Sequence, residues 1–306
     1  MDTQQSHYHP DAQPASQWDH FAPATLPTAA QQVGLTIDGH DSTVMRYGGT
    51  GSAAGANDQA WSWDGINWTQ RTSTNSPGAQ QNPSLVASVG NNNLLIDSSN
   101  AMISWLWDGT DWSMLATTGS FTSRTDSNIM MSDSGIMLFG GRSTSDNTAL
   151  GDTWLLNNNA WVRSTTTTAP SPRYGASTCA YSPQPLLFGG TDGISTNNET
   201  WTFNAGVWTR VRPNNSPPAR FDAAIAYSVR SNTTIMFGGT DANGNLLDDT
   251  WSWDGTDWSP LNLTAHPTAR TGARMVFDQD RNTMVLFGGY GANGDLNDTW
   301  GFGPTQ

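Results

Sequence analysis

Lysine is absent from this 306-residue chain, so all thirteen basic residues are arginines, and Glu199 is the only glutamate. The formal net charge is -13. That balance excludes a nucleic-acid partner, because phosphate neutralisation needs a Lys/Arg stripe, and it argues against adhesion to anionic lipid. A single cysteine, Cys179, excludes an intrachain disulfide. It sits in the apolar run from Ala176 to Tyr181 and reads as a small core residue. No hydrophobic run approaches the length of a membrane span, and Met1 to Ala30 has neither the charged start nor the apolar core of a signal peptide. The expected setting is extracellular or cell-surface with the leader absent from this sequence, the cytoplasm being the alternative. Helical periodicity is nowhere sustained, and the acidity is almost all aspartate, a residue of turns.

What the chain has is glycine, tryptophan and repetition. Apolar, β-prone runs end in Gly-Gly at Ile136-Met137-Leu138-Phe139-Gly140-Gly141, Pro185 to Gly190, Thr234 to Gly239 and Met284 to Gly289. A weaker copy ends at Gly48-Gly49, and a degenerate one has Asp97-Ser98 in place of the glycines. The spacing is about fifty residues. Tryptophans repeat the period: a first at 61, 105, 154, 201, 251 and 300, and a second seven residues on at 68, 112, 161, 208 and 258. Asp-Gly turns between them, as in Trp251 to Trp258, mark hairpins. Trp18 stands before Gly48 as every other second tryptophan stands before its next Gly-Gly, so it completes the repeat that ends with Trp300. A ring closed by its own first strand needs no polar cap. The expectation is a polar arm over residues 1–15 and a single all-β, six-bladed propeller over 16–306, its last blade closed by the strand around Trp18. The 81–112 unit departs most from the pattern.

The Phe-Gly-Gly, Asp-Thr-Trp (Asp152, Asp249 and Asp298) and second-Trp signatures resemble the kelch repeat over residues 18 to 303. That resemblance implies a six-bladed β-propeller. It leaves function open, since kelch propellers serve as enzymes, lectins and protein-binding adaptors. Kelch-type copper oxidases need two Tyr and two His with a Tyr–Cys crosslink. Here four of five histidines, among them His7 and His9, lie in the arm and first repeat, and Cys179 lies on a core strand, so copper is not expected.

Three readings of function follow. The favoured one is a non-catalytic recognition or scaffold module whose channel-mouth face binds a protein or glycan ligand. The others are an enzyme acting on a sugar or small metabolite in the central funnel, and a homo-assembling structural subunit. Arg124, Arg173, Arg220 and Arg270 occupy equivalent positions before the innermost strands, where the other two repeats carry Gln81 and Ala30. If four blades aim guanidiniums at one channel mouth, the ligand carries a carboxylate or similar anion. Tyr174 and Phe221 would offer flat faces, and Asp126 and Asp222, two residues past their arginines, would accept hydroxyls. The competing reading is a structural ring that ties blades together. No cofactor is expected except calcium, for which the loop carrying Asp241, Asn243, Asn245 and Asp249 places oxygen ligands around a glycine turn without a terminal bidentate Glu.

Overall fold

The computed structural model describes residues 16–52, 55–89, 92–97, 103–132, 135–179 and 185–304; the expected arm over 1–15 lies outside them. The described strands form six four-stranded antiparallel sheets, with small two- and three-stranded ribbons in the loops. Each sheet follows one repeat. In the fifth, Ala224–Ser228 is innermost, then Thr233–Phe237, Thr250–Trp253 and, outermost, Trp258–Leu261. The innermost strands are Gly34–Ile37, Ser84–Val89, Asn128–Ser132, Ser177–Thr178, Ala224–Ser228 and Arg274–Asp278. Each packs against the next, and the last packs against the first, so the ring is closed. The sixth sheet obtains its outer strand, Ser16–Phe21, from the other end of the chain, with Trp18 opposite Phe302 in an antiparallel ladder against Thr299–Pro304.

The second tryptophan of each repeat is the joint between blades. In four of them its indole N–H donates to the threonine of the preceding blade's Asp/Glu-Thr-Trp: Trp208 to Thr153, Trp258 to Thr200, Trp18 to Thr250 and Trp68 to Thr299, at 2.8 to 3.0 Å. Its ring meets the aromatic residue before the preceding Gly-Gly edge to face, as Trp18 meets Phe237 at 5.2 Å and Trp68 meets Phe287 at 5.1 Å. Trp18, which spacing assigns to the repeat that ends with Trp300, is a joint like the other second tryptophans.

Two joints lack the hydrogen bond, and both flank the aberrant 81–116 blade. Trp112 faces a repeat that has Ala60 where four others have threonine and the second has Ser104, and among the described residues its buried indole N–H has no partner; neither do the Trp161 indole N–H and the Ser104 hydroxyl. A buried donor left without an acceptor costs about 1–3 kcal/mol. Ala60→Thr is therefore expected to raise stability by about 1 kcal/mol, read as a higher midpoint in urea with an unchanged slope. A lower midpoint would mean that the site is too tight for the extra methyl group.

The Gly-Gly pairs are required by the same contact between blades. Gly189 has φ +70, and a Cβ there would lie 2.3 Å from the Arg220 carbonyl oxygen of the next blade; at Gly288 it would lie 2.5 Å from that of Ala30. No other residue fits such an approach in the left-handed region. The amide of the second glycine then donates to the same carbonyl, as Gly190 does to Arg220 and Gly289 to Ala30.

Candidate functional site

The conserved geometry of the repeat first accounts for the arginines. Arg220 is fully buried. Its Nε donates to the Pro218 carbonyl, Nη1 to the Gly238 carbonyl and to Asp249 Oδ1, and Nη2 to Asp249 Oδ2. Arg124 and Arg270 repeat the arrangement with Asp152 and Asp298, and Arg173 repeats it with Glu199. Each acid also accepts the indole N–H of the tryptophan two residues on. Burial acts to raise these carboxyls, but the arginine hydrogen bonds and charge outweigh it and hold Asp152, Glu199, Asp249 and Asp298 below their ordinary values. The expectation of an arginine-lined anion site is thus corrected. The guanidiniums point into their own blades, and their charge is met before any ligand arrives.

The remaining two repeats solve the same problem differently. The counterpart of the arginines in the second repeat is Gln80 rather than Gln81, since the Gln80 carbonyl receives the Gly49 amide. In the first repeat Ala30 is replaced functionally by Arg46, which comes from the neighbouring strand and donates to the Thr28 and Gly48 carbonyls. Its acid counterpart is the neutral Gln59, which still accepts the Trp61 indole N–H. Burial without a carboxylate lowers the Arg46 guanidinium to about 10, and its charge lies over the Phe287 ring at 5.2 Å.

The proposed calcium ligands are engaged separately. Asp241 Oδ1 accepts the amides of Asn243 and Asn245, and Oδ2 accepts the Asn245 side chain. Asp249 is the Arg220 latch. This is an Asx turn next to an ion pair, and among the described residues no group of three or more His, Cys, Asp or Glu is arranged to hold a metal.

The site that does assemble is the mouth of the central channel. Two residues past each arginine or its counterpart, the chain turns through a left-handed residue: Gln32, Asn82, Asp126, Gly175, Asp222 and Gly272, with φ from 48 to 65. Amide-to-carbonyl bonds pass from corner to corner, Gln32 to Gly272, Gly272 to Asp222, Asp222 to Gly175 and Gly175 to Asp126. Below the ring lies a cleft of about 120 Å³ that every blade helps to line. Asp126 accepts from Gln32 Nε2, Asn82 Nδ2 and Thr125 Oγ1, with Arg142 at 3.6 Å. Arg274 donates to Asn82 Oδ1 at 2.7 Å. Tyr174 and Phe221, bridged to Thr191 and Thr240, both lie above the cleft rather than lining it; the Arg142 guanidinium, 3.6 Å from Asp126, covers the Tyr174 ring at 5.4 Å. Of the expected ligand residues, Asp126, Asp222 and Tyr174 therefore gather here. Asn82, Gln32 and Arg274 join them unforeseen, with Arg142 coming from the loop after the second strand of its blade; the shared offset from the arginine position would have found the first two.

Burial, and then the nearby Asp126 carboxylate, push Asp222 up to about 7, against the opposing pull of Arg274 and Arg142. A carboxyl raised in the folded state gives up stability as pH climbs from its unfolded value near 4 through 7. Asp222→Asn should consequently raise stability at pH 8, by roughly 2 kcal/mol after allowance for partial exposure, and the gain should vanish by pH 4. Chemical denaturation at the two pH values checks this; a gain of the same size at both would refute it.

Among comparisons with known proteins, a family model described as the KLHDC2/KLHL20/DRC7 Kelch-repeats domain matches residues 90–254, more than half of the chain. No curated protein matches.

Proposed function

Because the chain belongs to the kelch-repeat family, a family of protein-interaction propellers, we propose that it is a recognition propeller that receives a segment of a partner protein at the channel mouth ringed by Asp126, Asp222, Asn82, Gln32, Arg142, Arg274 and Tyr174. One observation carries this reading. Six corners share one left-handed backbone conformation, and glycine, the residue that adopts it without strain, occupies only two of them. At the other four, polar side chains are kept at a conformational cost, and they converge on one cleft. Side chains retained against backbone preference mark functional surfaces.

The test is selection of a displayed random-peptide library on the whole protein. Bound peptides should be lost from a Tyr174→Ala, Arg142→Glu variant whose melting temperature stays within a few degrees of the parent. Peptides held equally well by that variant would place recognition elsewhere.

A second reading, an enzyme acting on a sugar, rests on the Asp222 carboxyl near 7 beside a second carboxylate, the pattern of an acid/base pair. Turnover across a glycan panel, abolished by Asp222→Asn, would favour it over peptide recognition.

A further inference from the structure

The cleft under the corner ring contains buried polar groups that the fold itself leaves unsatisfied, beside a carboxylate that the fold does not engage. Asn128 is 4% exposed and lines the cleft, yet among the described residues its Nδ2 has no hydrogen-bond acceptor, and the Ser127 hydroxyl beside it is likewise unpartnered. Opposite in character, the Asp222 carboxylate lines the same cleft, and among the described residues no hydrogen bond reaches it; Asp126, by contrast, is met by three side-chain donors. Buried polar groups in native proteins are almost always paired, so each exception asks for a partner. Here the missing partner is an acceptor for Asn128, while the partly buried Asp222 carboxylate offers an acceptor in the same cleft.

Charge narrows the class. In the lining Asp126 and Asp222 face Arg274, and the half-exposed Arg142 stands on the rim 3.6 Å from Asp126, so the cleft is dominated by neither sign of charge. The occupant is neutral and presents a donor and an acceptor together. A main-chain amide does not, because in the trans peptide the N–H and C=O point in opposite directions. A primary carboxamide does, its NH₂ and C=O lying side by side at the end of a short stem. A space of about 120 Å³ admits such a head group, whereas a helix about 10 Å across is excluded.

We propose that the cleft is a socket for a glutamine or asparagine side chain of the partner protein, its NH₂ donating to Asp222 and its C=O accepting from Asn128 Nδ2. The proposal rests on the protein-recognition reading above. Apolar walls below the rim, among them Leu35, Ile225 and Met275, would surround the stem. Gly175 is part of the design, since a Cβ there would stand 3.0 Å from Asp222 Oδ1, beside the oxygen the ligand must reach.

The experiment begins with the peptides selected in the preceding test. An invariant Gln or Asn is expected in them. Synthetic versions with that residue changed to Glu, Lys, Ser or norleucine should each bind at least tenfold more weakly by calorimetry. Asn128→Asp, which replaces the donor by an acceptor, should weaken the parent peptide by a similar factor. If Asn128→Asp fails to fold, Ser127→Ala provides a milder change, and the peptide series leaves the protein untouched. Peptides that bind at the mouth through a lysine, a serine or an apolar anchor would overturn the socket and leave the recognition reading standing. Binding of glycans in place of any peptide would overturn both.

Discussion

Trp18→Ala is expected to destabilise the propeller by about 3–5 kcal/mol, the range for emptying a buried tryptophan site. Trp18 is 2% exposed, donates to Thr250 across the blade boundary, and packs against both Phe237 and Phe302. The loss therefore opens the joint between fifth and sixth blades and loosens the strand that closes the ring. Removing residues 1–21 altogether would go further and leave the Thr299–Pro304 strand as an unpaired edge, with aggregation the expected result. Urea unfolding with intrinsic tryptophan fluorescence measures the first effect, and light scattering the second. If Trp18→Ala costs less than 1 kcal/mol, the closing strand does not hold the ring.

Asp249→Ala should cost about 2–3 kcal/mol, below the range for a fully buried pair because the Asp249 side chain is 38% exposed, since it leaves a fully buried guanidinium without its counter-ion. The predicted asymmetry is more informative than the size. Arg220→Met in the Asp249→Ala background should recover part of the loss, since a buried ion pair replaced by apolar groups is often close to neutral. Additive losses in the double variant would contradict the latch. The four latches also have a common pH signature. Carboxyls held below their ordinary values contribute stability that is present above the unfolded value near 4 and is lost as pH falls through the folded one. Asp222 works in the opposite sense between 4 and 7. Stability should thus peak on the acid side of neutrality, between these two limits.

The architecture was legible in the sequence because the repeat carries its own register. Gly-Gly pairs cannot be replaced where a neighbouring carbonyl lies at 2.3 Å from a Cβ position, so the period survives in every blade that keeps that contact. Trp18 could be assigned to the last blade from spacing alone, for the same reason. The arginines were located correctly but misread. Spacing shows that a side chain recurs, whereas its direction depends on the carboxylate of Asp152, Glu199, Asp249 or Asp298, some 26 to 29 residues further on. Arg46 was invisible to the pattern because it reaches the same place from a different strand. The channel mouth was half visible. Asp126 and Asp222 share an offset with their arginines, but Asn82 and Arg274 come to them from other blades, and Arg142 through its pairing with Thr125.

That closing strand has one more consequence, for the order in which the protein is made. Residues 16–21 leave the ribosome before any blade exists, and the threonine that Trp18 must reach is 232 residues downstream. Until the sixth blade is synthesised, its first quarter waits with an apolar tryptophan and an open ladder. Contacts so distant in sequence form late, and a waiting strand pairs equally well with the sixth blade of another nascent copy, giving a strand-exchanged dimer. Slow or crowded synthesis should therefore favour exchanged rings, while dilute refolding of the complete chain favours the closed monomer.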